Sequence, residues 1–208
     1  MAVSRFAAIN IGSYELALKI YEITSGKKVK MIDSARYIME LGKETYTQKK
    51  ISFETIEKMC DVLDGFTQIL STYQITDYEA VATSGIREAE NAEIILDRIK
   101  VRTGLTVKII SNSEQRLLTY EALSMYPEEF ESFNSGNTAI LDVGAGSIQI
   151  SLLDKNNILS TQNIKIGSLR IRELLLKLSE DMRHFDTLLD ELINNDLLTF
   201  KRMFIKDK

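Results

Sequence analysis

An α/β protein with a duplicated opening is predicted for this chain, on three observations. Short apolar runs alternate with amphipathic stretches up to Met125, which is the strand and helix alternation of α/β proteins. A strand, small-residue turn, strand, turn, strand scheme occurs once around Gly12 and again around Gly144. A polar, acidic stretch holding the only proline separates the two occurrences.

The elements follow in order. Residues 5 to 11, RFAAINI, are a compact apolar run that stops at Gly12-Ser13. LALKIYEI, 16 to 23, alternates as a second strand should, and Gly26-Lys27 fits a hairpin turn before VKMIDSARYIM. Ser52 can cap a helix whose apolar positions Phe53, Ile56, Met59, Cys60, Leu63, Phe66 and Leu70 keep the three-and-four spacing, with Glu54 near its positive end. YEAVATS is a strand candidate, followed by a helix through Ala92 to Val101, a strand TVKIIS and a helix from about Glu114 to Met125. Pro127 opens YPEEFESFNSGN, so the expected organisation is a first domain over 1–126, a linker over 127–136 and a partial second domain over 137–208. In that last part TAILDV, SIQISLLD and ILSTQNIKI repeat the three strands, with a turn at Lys155-Asn156-Asn157, and from Ser168 the chain reads as helical.

Composition narrows the function. With 208 residues and 44% apolar side chains, the chain can build real cores and is not disordered. Its 26 basic and 30 acidic residues give a net charge of −4, which supplies no general attraction to nucleic acid or to an anionic membrane. The terminal KRMFIKDK is locally basic and reads as a solvated end. No basic-aromatic interleave suggests single-stranded nucleic acid, and His184 has no partner in sequence. Cys60 is the only cysteine, so an internal disulfide and a cysteine metal cage are excluded, and its place on the helix stripe points to packing. Without a signal-like start or a long apolar run, a cytoplasmic, membrane-free protein is expected.

The two turns carry the chemistry. Asn10-Ile11-Gly12-Ser13 and Asp142-Val143-Gly144-Ala145-Gly146-Ser147 each join an apolar strand to an alternating one through small residues. Glycine permits positive φ and leaves no Cβ in the way, so N–H groups and a serine hydroxyl can converge on a phosphate oxyanion. Asn10 and Asp142, at the strand ends, can hold water or a metal ion in the same space. A glycine between two strands is ordinarily only a turn. Recurrence of the pattern with Asn or Asp before each turn favours a pair of cradles bracketing a phosphate chain between two domains.

AAINIGSYELALKIYEI, VATSGIREAENAEIILDRIK, TGLTVKIISNSEQRLL and AILDVGAGSIQISLLDKNNIL followed by IKIGSLRI resemble, in order, the N-terminal half of the exopolyphosphatase and guanosine pentaphosphate phosphatase (Ppx/GppA) family. The resemblance implies a two-domain, ribonuclease-H-like fold of the actin type, with the second domain apparently truncated. It also implies polyphosphate or a guanosine polyphosphate bound in an interdomain cleft, and Mg²⁺ as the ion. In the first loop Gly12 and Ser13 match the family, whereas Asn10 stands at its aspartate. Arg87, in Ser84-Gly85-Ile86-Arg87-Glu88-Ala89, matches an arginine expected at a helix start, where a guanidinium suits phosphate oxygens; a surface pair with Glu90 or Asp97 is the alternative. The family's catalytic glutamate falls on Gln115 when aligned without a gap, and on Glu114 if the alignment slips by one. A glutamine takes no proton from water, and losing a positioned base costs about 10²–10⁴ in rate. In the second loop Asp142, Gly144, Gly146 and Ser147 match, Ala145 replaces a glycine and Gln149 replaces an acid. Phosphate contacts are therefore expected from Gly12, Ser13, Gly144, Ala145, Gly146 and Ser147, metal contacts from Asp142 and Asn10, and catalysis from Glu114, Gln115 and Arg87.

Two activities stay open. One is a phosphoanhydride hydrolase acting on polyphosphate or guanosine pentaphosphate. The other is a binder of the same anions, weakened or inactive because Asn10, Gln115 and Gln149 are amides where the family has acids. The family's third glycine-rich segment has no counterpart after Phe200, so the chain reads as a fragment or truncated product. A second copy, or the remainder of the second domain, is expected on the open strand edge.

Overall fold

The computed structural model describes residues 3–25, 28–125, 136–154, 157–178 and 185–204. Two compact units divide the chain, Met1–Ser111 and Asn112–Lys208. The expected linker over 127–136 lies outside the described residues apart from Gly136, as do the turn residues Gly26-Lys27 and Lys155-Asn156 and the sole histidine, His184.

The first unit holds a five-stranded sheet. Strands β1 (Val3–Ile11), β2 (Glu15–Thr24) and β3 (Val29–Ile38) form an antiparallel meander, and β4 (Tyr78–Ala82) and β5 (Lys108–Ile109) add to β1 in parallel, giving the order β3-β2-β1-β4-β5. Alternation drives it: Ala7, Ile9 and Ile11 on β1 and Leu16, Leu18 and Ile20 on β2 turn to one face and are fully buried. Each such Ile or Leu contributes roughly 1.5–3 kcal/mol by leaving water. The opposing layer is α2 (Phe53–Thr72), whose buried residues Ile56, Met59, Cys60, Leu63, Phe66 and Leu70 are the expected stripe. Phe53 departs from that expectation. At the first helical position it points outward and is 69% exposed. Ser52 caps the helix as expected, its hydroxyl accepting from the Thr55 amide at 3.3 Å.

Two further helices of this unit escape a periodicity search. One is α1 (Leu41–Gln48), a polar segment, and the other is α3 (Ser84–Arg87), a single turn. The helix through Ala92, α4 (Ala92–Thr103), ends on Gly104 at φ 74°, the left-handed cap that glycine favours. It packs on α2 through Ile95 and Ile99, and Glu57 of α2 reaches both Arg98 and Arg102 at 2.6 Å.

The second unit opens with α5 (Asn112–Ser124), then repeats the meander as β6 (Asn137–Val143), β7 (Ile148–Asp154) and β8 (Asn157–Ile164). Helices α6 (Ser168–Leu178) and α7 (Phe185–Phe204) follow. Ile150, Ile164, Ile166 and Phe200 form its buried cluster. β6 corresponds to β1 but is an edge strand among the described residues. Ile9 and Ile11 are 1% and 0% exposed, whereas their counterparts Leu141 and Val143 are 58% and 65% exposed. The physical difference is β4, which pairs with β1 from Ala7 to Ile11. Among the described residues no helix is long and apolar enough to cross a membrane.

Candidate phosphate loops and a buried amide row

The β1–β2 loop is closed by the Gly12 amide, which donates to the Glu15 carbonyl at 2.9 Å. Its carbonyls face inward: Ser13 accepts from Gly42 of α1, and Tyr14 accepts from Met39 and Glu40. No acceptor is found for the amides of Ser13 and Tyr14 among the described residues, so these donors are what the loop offers a ligand. The serine hydroxyl is engaged inside. Ser13 Oγ lies 2.9 Å from Ser84 Oγ of α3 and accepts from the Tyr46 hydroxyl of α1 at 2.5 Å. Gly85 lets α3 approach, because a Cβ there would stand 2.9 Å from Ser13 Cα. The strand-end Asn10 is exposed.

Arg87 ends α3 rather than starting a helix, five residues before α4. Its Nη1 donates to the Ile110 carbonyl at 2.6 Å, and burial pushes its pKa down. Desolvation makes the guanidinium gain more from an anionic partner. Glu90 pairs with Lys50 at 3.4 Å.

The β6–β7 loop repeats the device. The Gly144 amide donates to Ser147, and α6 presents its first turn to the loop: Ser168 donates to Gly144 O, and Leu169 and Arg170 donate to Ala145 O. Arg170 Nε adds a bond to Gly146 O at 2.9 Å. These bonds satisfy helix amides that have no partner inside the helix, and they hold the loop carbonyls inward. The amides of Ala145, Gly146 and Ser147 have no acceptor among the described residues. Gly167 makes the contact possible, since a Cβ there would overlap Ser147 N and the Ala145 carbonyl.

Positive φ is not what the loop glycines provide. Neither Gly12, Gly144 nor Ala145 is among the positive-φ residues, which explains why alanine is accepted at 145. Space is the reason at Gly12, where a Cβ would stand 2.9 Å from the Glu15 carbonyl.

Asp142 lies directly across from Gln149, and Gln149 across from Asn163, so the three form one row over β6, β7 and β8 on the face opposite the Ile150 cluster. Gln149 is 4% exposed, and among the described residues neither its Oε1 nor its Nε2 has a partner, nor does Asn163 Oδ1. Glu114 and Gln115 sit in the first turn of α5, both half-buried. Of the expected site residues, Asn10, Gly12, Ser13 and Arg87 belong to the first unit, and Glu114, Gln115, Asp142, Gly144, Ala145, Gly146 and Ser147 to the second.

No group of three or more His, Cys, Asp or Glu side chains able to hold a metal occurs among the described residues. Asp142, one residue before the end of β6, is the carboxylate at the second loop; at the first loop Asn10 is an amide and Glu15, opening β2, accepts from Arg36 at 3.0 Å. That donor set fits Mg²⁺ held by one carboxylate and by the oxygens of a bound phosphate, and does not form an all-protein cage.

Tyr46, Ser84, Asn163, Gly167 and Arg170 touch the loops or the amide row, and residue-by-residue reading passed over them. For Gly167 a signal existed in the IKIGSLRI segment, but its contact with Ser147 depends on how α6 meets the loop.

A meander whose first loop caps the following helix, used twice, is the arrangement of ribonuclease-H-like, actin-type folds. The sequence model of the Ppx/GppA phosphatase family matches residues 19–199. Exopolyphosphatase 1 of Mycobacterium tuberculosis is 25% identical over 147 residues, 71% of this chain and 42% of that protein. Guanosine-5'-triphosphate,3'-diphosphate pyrophosphatase of Pseudoalteromonas atlantica is 23% identical over 168 residues, 81% of this chain and 32% of its own length. The crystal structure of the Aquifex aeolicus Ppx/GppA family member superposes with a TM-score of 0.71 at 26% identity, covering 94% of this chain and 62% of that one. The chain belongs to the Ppx/GppA phosphatase family. It spans about two-fifths of the mycobacterial relative it matches, 42% of that length.

Proposed function

We propose that this chain carries the phosphate-binding loops of a phosphoanhydride hydrolase acting on inorganic polyphosphate or guanosine pentaphosphate. The observation behind this reading is that each meander loop turns its carbonyls inward onto a helix and leaves backbone amides unspent. Oriented amides of that kind stabilise phosphate oxygens and the charge that develops when the anhydride breaks. Water attacks the terminal phosphorus, the bond to the bridging oxygen breaks, and Glu114 takes the proton of the attacking water; Gln115 beside it orients and cannot take a proton. Arg87 offers positive charge to the transferring group. Mg²⁺, with Asp142 as its protein carboxylate, would neutralise phosphate charge. A cytoplasmic setting, and a second copy or a further segment of the second domain on β6, belong to the same reading.

Phosphate release from polyphosphate in the presence of Mg²⁺ tests it. Glu114→Gln should lower the rate by about 10²–10⁴-fold. No release with any divalent ion would overturn the hydrolase in favour of a binder of the same anions. That second reading draws on the amides at Asn10, Gln115 and Gln149, and it expects thermal stabilisation by polyphosphate without turnover.

A further inference from the structure

The polar helix α1 grips two parts of the first unit at once. Its Gly42 amide donates to the Ser13 carbonyl of the first loop at 2.8 Å, and Thr45 Oγ1 donates to the Gly85 carbonyl of α3 at 2.6 Å. Tyr46 joins the same two parts through side chains. Its hydroxyl donates to Ser13 Oγ at 2.5 Å and lies 3.1 Å from Ser84 Oγ, and the two serine oxygens are 2.9 Å apart. With Tyr46 donating to Ser13, Ser13 to Ser84 and Ser84 back to Tyr46, the hydroxyls close a ring in which each gives and takes one hydrogen bond. Ser13 and Ser84 are buried, which shields these bonds from solvent.

Both serines lead to groups that suit phosphate. Ser13 belongs to the loop whose amides, its own and that of Tyr14, have no acceptor among the described residues. Ser84 opens α3, and Arg87 ends it three residues later. A helix of one turn does not sustain itself, because its nucleus is costly and nothing propagates from it. The position of Arg87 therefore depends on bonds from outside α3: Thr45 to Gly85, the hydroxyl ring to Ser84, and Arg87 Nη1 to the Ile110 carbonyl at 2.6 Å. Tyr46 is also near enough to the guanidinium to act on its charge. A serine hydroxyl swings about a single bond, whereas the phenol oxygen is fixed at the tip of a rigid ring carried on α1.

We propose that Tyr46 is a positioning residue, holding the first-loop amides and the Arg87 guanidinium in register on one phosphoryl group. The inference rests on the hydrolase reading and assigns Tyr46 no contact with substrate. Polyphosphate in the ground state is held along its length, but charge on the transferring group develops only as the anhydride breaks. Loss of register is therefore felt in kcat more than in KM.

Steady-state phosphate release from polyphosphate with Mg²⁺, measured well below the melting temperature of each variant, tests this. Tyr46→Phe removes the hydroxyl and keeps the aromatic ring; kcat should fall about 10-fold with KM changed less than about twofold. Ser84→Ala, which opens the hydroxyl ring from the α3 side, should lower kcat in the same way. Ser52→Ala is the control for stability: it removes the α2 cap, lowers the melting temperature and should leave kcat at the parent value. In an Arg87→Ala background, Tyr46→Phe should have almost no further effect, since it acts through that register. Equal kcat in Tyr46→Phe and Ser52→Ala, a change confined to KM, or full additivity with Arg87→Ala would overturn the proposal and leave the hydrolase reading standing. A parent chain that releases no phosphate overturns that reading, and the proposal with it.

Discussion

Ser13 Oγ and Ser84 Oγ stand 2.9 Å apart, joining the first loop to the one-turn helix α3 across 71 positions of sequence. Tyr46 closes the group, donating to Ser13 and lying 3.1 Å from Ser84. Ser84→Ala leaves the Tyr46 bond to Ser13 in place, so it should cost about 0.5–1.5 kcal/mol, the net worth of one hydrogen bond. Calorimetric melting should therefore show a drop of about 4–8 °C per kcal/mol for a unit of this size. Tyr46→Phe with Ser84→Ala should cost more than the sum of the two, since Ser13 is then left buried with neither partner.

Gly85 and Gly167 hold the two loops against their helices. Gly85→Ala places a Cβ 2.9 Å from Ser13 Cα and 3.3 Å from Gly12 O, both backbone, and should cost about 1–3 kcal/mol. Gly167→Ala should be worse, because its Cβ overlaps Ser147 N and the Ala145 carbonyl and neither can move without releasing α6. Gly65 is the contrast. It sits inside α2 with nothing within 4 Å of a built Cβ, so Gly65→Ala should stabilise by about 1 kcal/mol. Urea melts of the three variants rank them; a harmless Gly167→Ala would contradict the loop geometry.

Acid should remove one contact between α2 and α4. The Arg98 hydrogen bond, aided by Arg98 and Arg102 charge, holds the Glu57 carboxyl below the usual carboxylate range. A carboxylate depressed in the folded state stabilises above its unfolded value of about 4.3, and that contribution disappears as pH falls through the folded value. The difference in melting temperature between the parent and Glu57→Gln should be largest near about pH 7 and shrink steadily as pH falls below about 4.3. A constant difference would show that Glu57 acts by packing alone.

Cys60 should be silent to thiol reagents in the native state. It is fully buried on α2, and burial pushes its thiol pKa up, so little thiolate forms and no reagent reaches it. Labelling should appear only with global unfolding in denaturant, and rapid native labelling would refute the packing of the α2 stripe.

Period and punctuation made most of the elements legible in advance. The alternation at Leu16, Leu18 and Ile20 reads as a strand with one buried face, and the spacing from Ile56 to Leu70 reads as a helix, because both patterns are set by local geometry. The recurrence of Gly12-Ser13 and Gly144-Ser147 after a polar strand end marked both loops. Polar α1 and four-residue α3 carry no apolar period, and tertiary bonds such as Thr45 Oγ1 to Gly85 O hold them in place. Arg87 was legible as a residue, while its position at the end of α3 was not.

Residue identity alone determined which side chains could do chemistry here: an amide at Asn10, Gln115 and Gln149, a carboxylate at Asp142 and Glu114, a guanidinium at Arg87. Only the tertiary structure decided that Ser13 spends its hydroxyl inward, that α6 turns the second loop's carbonyls away, and that Gln149 is buried with no partner among the described residues. The reason is range. Side-chain chemistry and local periodicity act within a few residues, whereas hydrogen-bond satisfaction and burial depend on elements that meet only after the chain has folded.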